Sequence, residues 1–219
     1  LPWFGGTSAV WTTAMLFFQT FLLLGYAYIL LLAKVPLKKQ IAIHASVVVI
    51  IAAAVLWLSS SWPSPILPGP SWKPNESVSP IIQVLSILTV SVGLPYFLLS
   101  TTSVLLQKWF SLLQSKRSPY PLYALSNVSS LLALLSYPIL IEPFLPLQLQ
   151  GIWWGIGFGL YALFLLLCCG QTLLFAKKQK VKHEVKQVTI TKKTAGIWLF
   201  LSATATLMLL AITSIQTQS

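Results

Sequence analysis

Six long apolar runs restrict the possible folds of this chain more than any other feature of the sequence. Each run offers roughly 20 residues, the length of helix that crosses a hydrocarbon core of about 30 Å. In lipid, a single segment satisfies its own backbone hydrogen bonds only as a helix. The sequence therefore predicts one all-α domain over residues 1–219, a polytopic transmembrane helix bundle of about six spans. The predicted spans are approximately residues 8–32, 41–58, 81–106, 122–141, 152–176 and 195–212.

The composition excludes most classes of soluble protein. Hydrophobic residues make up 56% of the chain and charged residues only 8%, whereas soluble domains carry about a quarter charged residues. The net charge of +11 would suggest nucleic acid as the partner of a soluble protein. Here the basic residues lie between apolar runs, so we expect anionic lipid headgroups as their partners and no nucleic acid.

The basic residues also predict the topology. Lys73 alone falls in an even-numbered loop, and the other Lys and Arg residues fall in the loops after spans one, three and five. The positive-inside rule then places both termini on the non-cytoplasmic side. The loop after span five is the richest in lysine, and we expect several of its side chains to contact lipid headgroups. These are Lys177, Lys178, Lys180, Lys182 and Lys186.

Small residues at helical spacing predict two packing faces. Gly151, Gly155 and Gly159 recur every four residues at the start of span five, and such a stripe lets another helix approach closely. Ser126 and Ser130 share one face of span four for the same reason. We therefore expect both faces to lie against helices rather than lipid.

Polar side chains inside the spans define a candidate cavity. Span three contains Pro95, which removes a backbone donor and kinks a helix. The hydroxyl residues after it can satisfy the backbone groups that the proline frees; alternatively, a broken helix lines a binding cavity, as in many transporters. Because no charged residue shares this layer, the structural role is favoured. The candidate residues are Gln19, Ser100, Thr101, Thr102 and Asn127.

Cofactor ligands are scarce. His44 is a weak candidate, because a bis-histidine haem needs a second ligand and His183 lies in a loop, although a single histidine can ligate a chlorophyll. The adjacent Cys168 and Cys169 are expected to be buried thiols, since neighbouring cysteines rarely form an unstrained disulfide. We predict no metal and no cofactor. The nine Trp and eleven Phe residues would suit lipid, quinone or pigment contacts, and equally interfacial belts.

Short motifs occupy residues 1–6, 9–13, 17–19, 25–28, 94–103, 105–110, 119–120, 122–127, 137–138 and 142–143. In this order they resemble the membrane part of bacterial spermidine-synthase-like integral membrane proteins, which join a transporter-like bundle to an aminopropyltransferase-like domain. The resemblance implies the bacterial cytoplasmic (inner) membrane and a chain that is part of a longer protein. The acidic residues that hold polyamines in a synthase have no counterpart here.

Three functions remain open. The favoured function is that of a non-catalytic subunit or scaffold, docked with other transmembrane subunits in a larger membrane complex. A bioenergetic complex is an example. The alternatives are a transporter-like bundle with a small-molecule or lipid cavity between spans three and four, and the membrane anchor of a spermidine-synthase-like enzyme. We predict no catalytic residue, since Glu76, Glu142 and Glu184 lie in separate loops or at span ends and catalysis needs grouped acids and bases.

Cysteine labelling tests the predicted topology. On a background without the native cysteines, a membrane-impermeant reagent should label Trp72→Cys and Pro146→Cys in intact cells. It should spare cysteines at Lys38, Lys116 and Lys182, because basic loops stay in the cytoplasm. Labelling of Lys182→Cys from outside intact cells would contradict the topology.

Overall fold

Helices account for the regular structure of the chain. The structure, a computed structural model, describes residues 3–5, 7–74, 78–114, 117–179 and 191–218. These residues form seven α-helices and contain no β-strand, which confirms the predicted all-α class. The helices are α1 Ser8–Leu32, α2 Leu37–Ser61, α3 Pro80–Leu88, α4 Leu94–Leu113, α5 Tyr120–Ser136, α6 Leu147–Gln179 and α7 Lys192–Gln218.

Five helical segments are long and apolar enough to cross a membrane, as a multi-pass membrane protein requires. They correspond to the first five predicted spans, and most are longer than predicted because the helices continue beyond their apolar runs. The sixth predicted span lies within α7, outside this set of five, and stays a prediction. The five segments are Ser8–Leu32, Leu37–Ser61, Pro80–Leu113, Tyr120–Ile141 and Leu147–Lys177.

The third span is one helix interrupted by a π turn. Residues Thr89–Gly93 adopt π-helical geometry between α3 and α4, immediately before Pro95, which has no N–H to donate to the preceding turn. The buried Ser91 hydroxyl donates to the Ile87 carbonyl at 2.6 Å. In a membrane span, a local π adjustment can satisfy backbone groups that a proline leaves without a partner. The disturbance that the sequence predicts near Pro95 therefore takes the form of a π turn.

The core lies among α1, α2, α4 and α6. Helix α1 packs against α3 and α4, and α2 packs against α6 and α4. Helix α5 packs against α4 but contributes no buried residue. The bundle thus has one closely packed side and one side that is open along α5.

The loop between α2 and α3 packs against the glycine stripe of α6. A Cβ on Gly151 would overlap the Ser64 hydroxyl, and a Cβ on Gly155 would come within 2.5 Å of Pro65 Cγ. The spacing predicts a close approach, and the approaching segment is the loop between α2 and α3 rather than a helix. Gly159 is exposed and has no neighbour at this distance among the described residues.

The two cysteines differ in environment. Cys169 is buried in the core, while Cys168 is exposed. Neighbouring residues point about 100° apart around an α-helix, so only one of them faces the core. The prediction of two buried thiols is therefore wrong for Cys168.

Leucine substitutions on the α6 stripe test the loop contact. We expect Gly155→Leu to lower the free energy of unfolding by about 1–3 kcal/mol, because the larger side chain displaces Pro65. The matched control Gly159→Leu should have little effect, since no described residue would lie within 4 Å of a Cβ at that glycine. Thermal unfolding of both variants in detergent measures the difference, and equal stabilities would contradict the contact.

Candidate functional site

A buried polar cluster joins α1, α2 and α4 at the end of the bundle nearest the α1–α2 turn. On α2, Gln40 and His44 are four residues apart and share the face that continues through Val48, Ile51 and Val55. That face packs into the core, so both polar side chains become buried with it. Their exposed fractions are 1% and 0%.

Hydrogen bonds satisfy most of this cluster. Trp109 Nε1 donates to Gln40 Oε1 at 3.2 Å, and Gln40 Nε2 donates to the Val35 carbonyl at 2.8 Å. The Tyr28 hydroxyl and His44 Nδ1 share a hydrogen bond of 3.2 Å. Because unpaired polar groups are costly in lipid, these bonds tie three helices together and fix the α1–α2 hairpin on α4.

His44 Nε2 is the one exception among the buried side-chain atoms that the structure describes. It has no hydrogen-bond partner and less than 1 Å² of exposed surface. The Trp109 ring lies edge-to-face with the imidazole, at a centroid distance of 5.9 Å. A haem or chlorophyll could reach Nε2 only after the cluster repacked, and no group of three metal-ligand side chains occurs in the described part of the chain.

A second polar region lines a groove between α4, α5 and α6. The Gln107 amide donates to Ser103 Oγ at 2.9 Å, and Ser103 donates to Ser126 Oγ of α5 at 3.3 Å. The Thr102 hydroxyl is hydrogen-bonded to the Tyr161 hydroxyl of α6. The groove has a volume of about 790 Å³ and lies between the helices of the third and fourth spans.

The five residues of the predicted cavity separate into three environments. Ser100 and Thr101 lie against Gly25 of α1, where the two helices approach closely. Thr102 lines the α4–α5–α6 groove. Gln19 and Asn127 are exposed on α1 and α5. The structure does not bring these side chains together into one cavity.

The predicted packing serines lie at the same groove. Ser126 is partly buried against Ser103, and Ser130 lines the groove while donating to the Ser126 carbonyl at 3.0 Å. Of the predicted headgroup lysines, Lys177 is exposed near the end of α6. The side chain of Lys178 and the residues Lys180, Lys182 and Lys186 lie outside the described part of the chain.

Comparison of the chain with protein-family models, with curated proteins and with solved structures finds no match. The resemblance to spermidine-synthase-like membrane proteins therefore stands on its short motifs alone.

Sequence reasoning missed two interacting pairs, Gln40 with Trp109 and Thr102 with Tyr161. A signal for the first pair was present, because Gln40 precedes His44 by one helical turn at the start of an apolar run. Two polar residues on one face of a span indicate a shared partner on another helix. The second pair had no comparable signal, since Tyr161 is a lone tyrosine among apolar residues.

Removal of one hydroxyl tests the buried cluster. We expect Tyr28→Phe to lower the free energy of unfolding by about 1–2 kcal/mol, because the His44 ring then loses its hydrogen-bond partner. Tyr26→Phe is the matched control, since Tyr26 is an exposed tyrosine on the same helix. Unfolding in detergent should separate the two variants, and an unchanged Tyr28→Phe would contradict the role of this bond.

Proposed function

We propose that the chain is a non-catalytic transmembrane subunit that binds a helix of another subunit along α5. The proposal rests on one observation, the position of the Asn127 side chain. In this proposal the chain lies in the bacterial inner membrane, with six spans and both termini on the non-cytoplasmic side. A bioenergetic complex is one such assembly.

Exposed apolar residues on α5 do not by themselves call for a partner. Leu125, Leu131 and Leu134 are exposed, but lipid tails are as apolar as leucine and cover such side chains without loss. Only the polar groups of α5 can therefore indicate a partner. Inside hydrocarbon, each polar group needs a hydrogen-bond partner.

The serines of α5 find that partner within their own helix. The Ser129 hydroxyl donates to the Leu125 carbonyl at 2.8 Å, and Ser130 donates to the Ser126 carbonyl at 3.0 Å. A hydroxyl in a helix commonly bonds the carbonyl one turn earlier. These residues are therefore compatible with a surface that faces lipid.

Asn127 makes no comparable hydrogen bond within its own helix. Its carboxamide carries two donors and an acceptor, it is exposed, and it makes no hydrogen bond with the residues that the structure describes. It lies seven residues after Tyr120, about 10 Å along the helix and well inside the span. An amide transferred to an apolar medium without a partner costs roughly 2–7 kcal/mol. A second polar helix surface at this point removes that cost.

Gln19 on α1 is a second exposed carboxamide without a hydrogen-bond partner among the described residues. It is exposed, lies near the middle of Ser8–Leu32, and makes no hydrogen bond within the described residues. The neighbouring Thr20 hydroxyl, by contrast, donates to the Leu16 carbonyl at 2.8 Å. Exposed carboxamides such as Asn127 and Gln19, which make no hydrogen bond with the described residues, fit a subunit embedded among others.

The groove between α4, α5 and α6 favours a second candidate, a transporter-like bundle that binds a small molecule or lipid. Its volume of about 790 Å³ falls within the range of small-molecule sites. Thr102, Ser103 and Gln107 line it, but they already bond one another or their own helices. Few polar groups are left to orient a substrate, so docking is preferred.

The third candidate, the anchor of a spermidine-synthase-like enzyme, follows from the resemblance. It shares the docking surface with the first and differs in what the rest of a longer chain would do. Turnover of an aminopropyl donor and a polyamine by the purified chain would favour this candidate over a non-catalytic subunit.

Substitution of Asn127 tests the docking surface. We expect Asn127→Leu to weaken the association, because the helix loses its interhelical hydrogen bonds, by about 1 kcal/mol or roughly fivefold in the dissociation constant. Val128→Leu is the matched control, as an exposed apolar neighbour. Native mass spectrometry of the protein extracted from its own membrane measures the subunit composition.

Two results would contradict the proposal. One is a wild-type chain that is released as a single subunit under the mildest extraction. The other is an assembly that Asn127→Leu and Val128→Leu leave equally intact.

A further inference from the structure

A roofed cavity lies at the end of the bundle opposite the α1–α2 turn. Residues 62–74 of the α2–α3 loop cover it, and the third span and the start of α6 form its walls. The cavity has a volume of about 460 Å³, within the range of small-molecule sites. Most of its lining is apolar, including Ile66, Leu67, Ile87, Leu88 and Leu147.

Contacts with α6 hold the roof in place. Ser64 is 2% exposed and lies against Gly151, while Pro65 lies against Gly155. The Leu67 N–H donates to the Ser64 hydroxyl at 3.2 Å, which closes the loop on itself. The loop is therefore held on α6 by the glycine stripe, and the space beneath it is part of the fold.

The walls offer little to a polar ligand. Ser91 is the hydroxyl that lines the cavity, and it already donates to the Ile87 carbonyl. Gln148 adds one carboxamide from the first turn of α6. A ligand that fills this space must therefore be mainly apolar.

The one charge at the cavity is positive. Among the described residues that line it, Lys73 alone is ionised. Its N–H donates to the Pro70 carbonyl at 3.1 Å, which closes the 3₁₀ turn Pro70–Trp72 and holds the lysine at the cavity. Lys73 is exposed, so its ammonium remains accessible to a ligand headgroup from outside.

Two tryptophans place this arrangement at a membrane surface. Trp62 and Trp72 both belong to the loop that forms the roof, and their rings meet edge-to-face at a centroid distance of 5.9 Å. Tryptophan is enriched at the level of lipid headgroups. An apolar cavity at that level, with one cation at its edge, matches a molecule that has an acyl chain and an anionic headgroup.

We propose that this cavity binds one acyl chain of an anionic phospholipid, with the lipid phosphate held by Lys73. The apolar lining accommodates the chain, and the lysine selects the charge of the headgroup. The glycine stripe of α6 contributes indirectly, because it holds the roof in place. The site is on the opposite end of the bundle from the lysine-rich loops.

Lipid titration of the delipidated full chain tests the site. Native mass spectrometry with phosphatidylglycerol should show one lipid that binds more tightly than phosphatidylcholine of the same chain length. Lys73→Gln should weaken the binding of phosphatidylglycerol about fivefold, as expected for one lysine beside an anionic headgroup, and Lys73→Arg should restore it. Lys34→Gln is the matched control, since Lys34 is an exposed lysine at the other end of the bundle.

A second arm examines the acyl chain. Ile66→Trp should exclude the lipid by filling the cavity, and glycerol 3-phosphate, which has the headgroup without the chain, should not compete. Equal binding of the two lipids, or an unchanged affinity in Lys73→Gln, would overturn the proposal. Full competition by glycerol 3-phosphate would also overturn it, because the site would then bind a free phosphate.

Discussion

The need to pair every polar group inside hydrocarbon governs this structure. The bundle meets it in three ways: serine and threonine hydroxyls bond carbonyls of their own helix, a π turn precedes Pro95, and the Gln40–Trp109 and Tyr28–His44 pairs bridge helices. Unpaired polar groups in lipid cost several kcal/mol each. The carboxamides left exposed within spans are therefore the informative exceptions, and they are the basis of the proposed docking function.

The two ends of the bundle differ in structure and in the role that each can have. Near the α1–α2 turn, the buried cluster around His44 holds three helices together and leaves no open space beside the imidazole. At the opposite end, the loop seated on Gly151 and Gly155 encloses an apolar space beside Lys73. One end thus has a structural role, because its hydrogen bonds hold three helices together, and the other end is suited to a ligand from the lipid phase.

The sequence predicts the spans well and their contacts poorly. Hydropathy reports the length of apolar helix directly, so the first five spans agree with the structure. The spacing of Gly151 and Gly155 predicts a close approach, but spacing does not say whether a helix or a loop approaches, and here Ser64 and Pro65 of a loop lie against these glycines. The five polar cavity residues separate because a hydroxyl such as Ser100 can bond its own helix, here the Phe97 carbonyl at 2.7 Å, and need not face a shared cavity.

Photocrosslinking along α5 shows whether a partner helix docks on this surface. A photoreactive residue at Tyr123, Leu131 or Leu134 leaves the Asn127 carboxamide in place and lies on the same exposed face of α5. It should give a defined product with a single transmembrane peptide of another chain. The same residue at Val128 or Leu132, on a different side of the helix, should crosslink mainly to lipid. Products confined to lipid or to α7 of the same chain, at all five positions, would contradict the docking of a partner helix on α5.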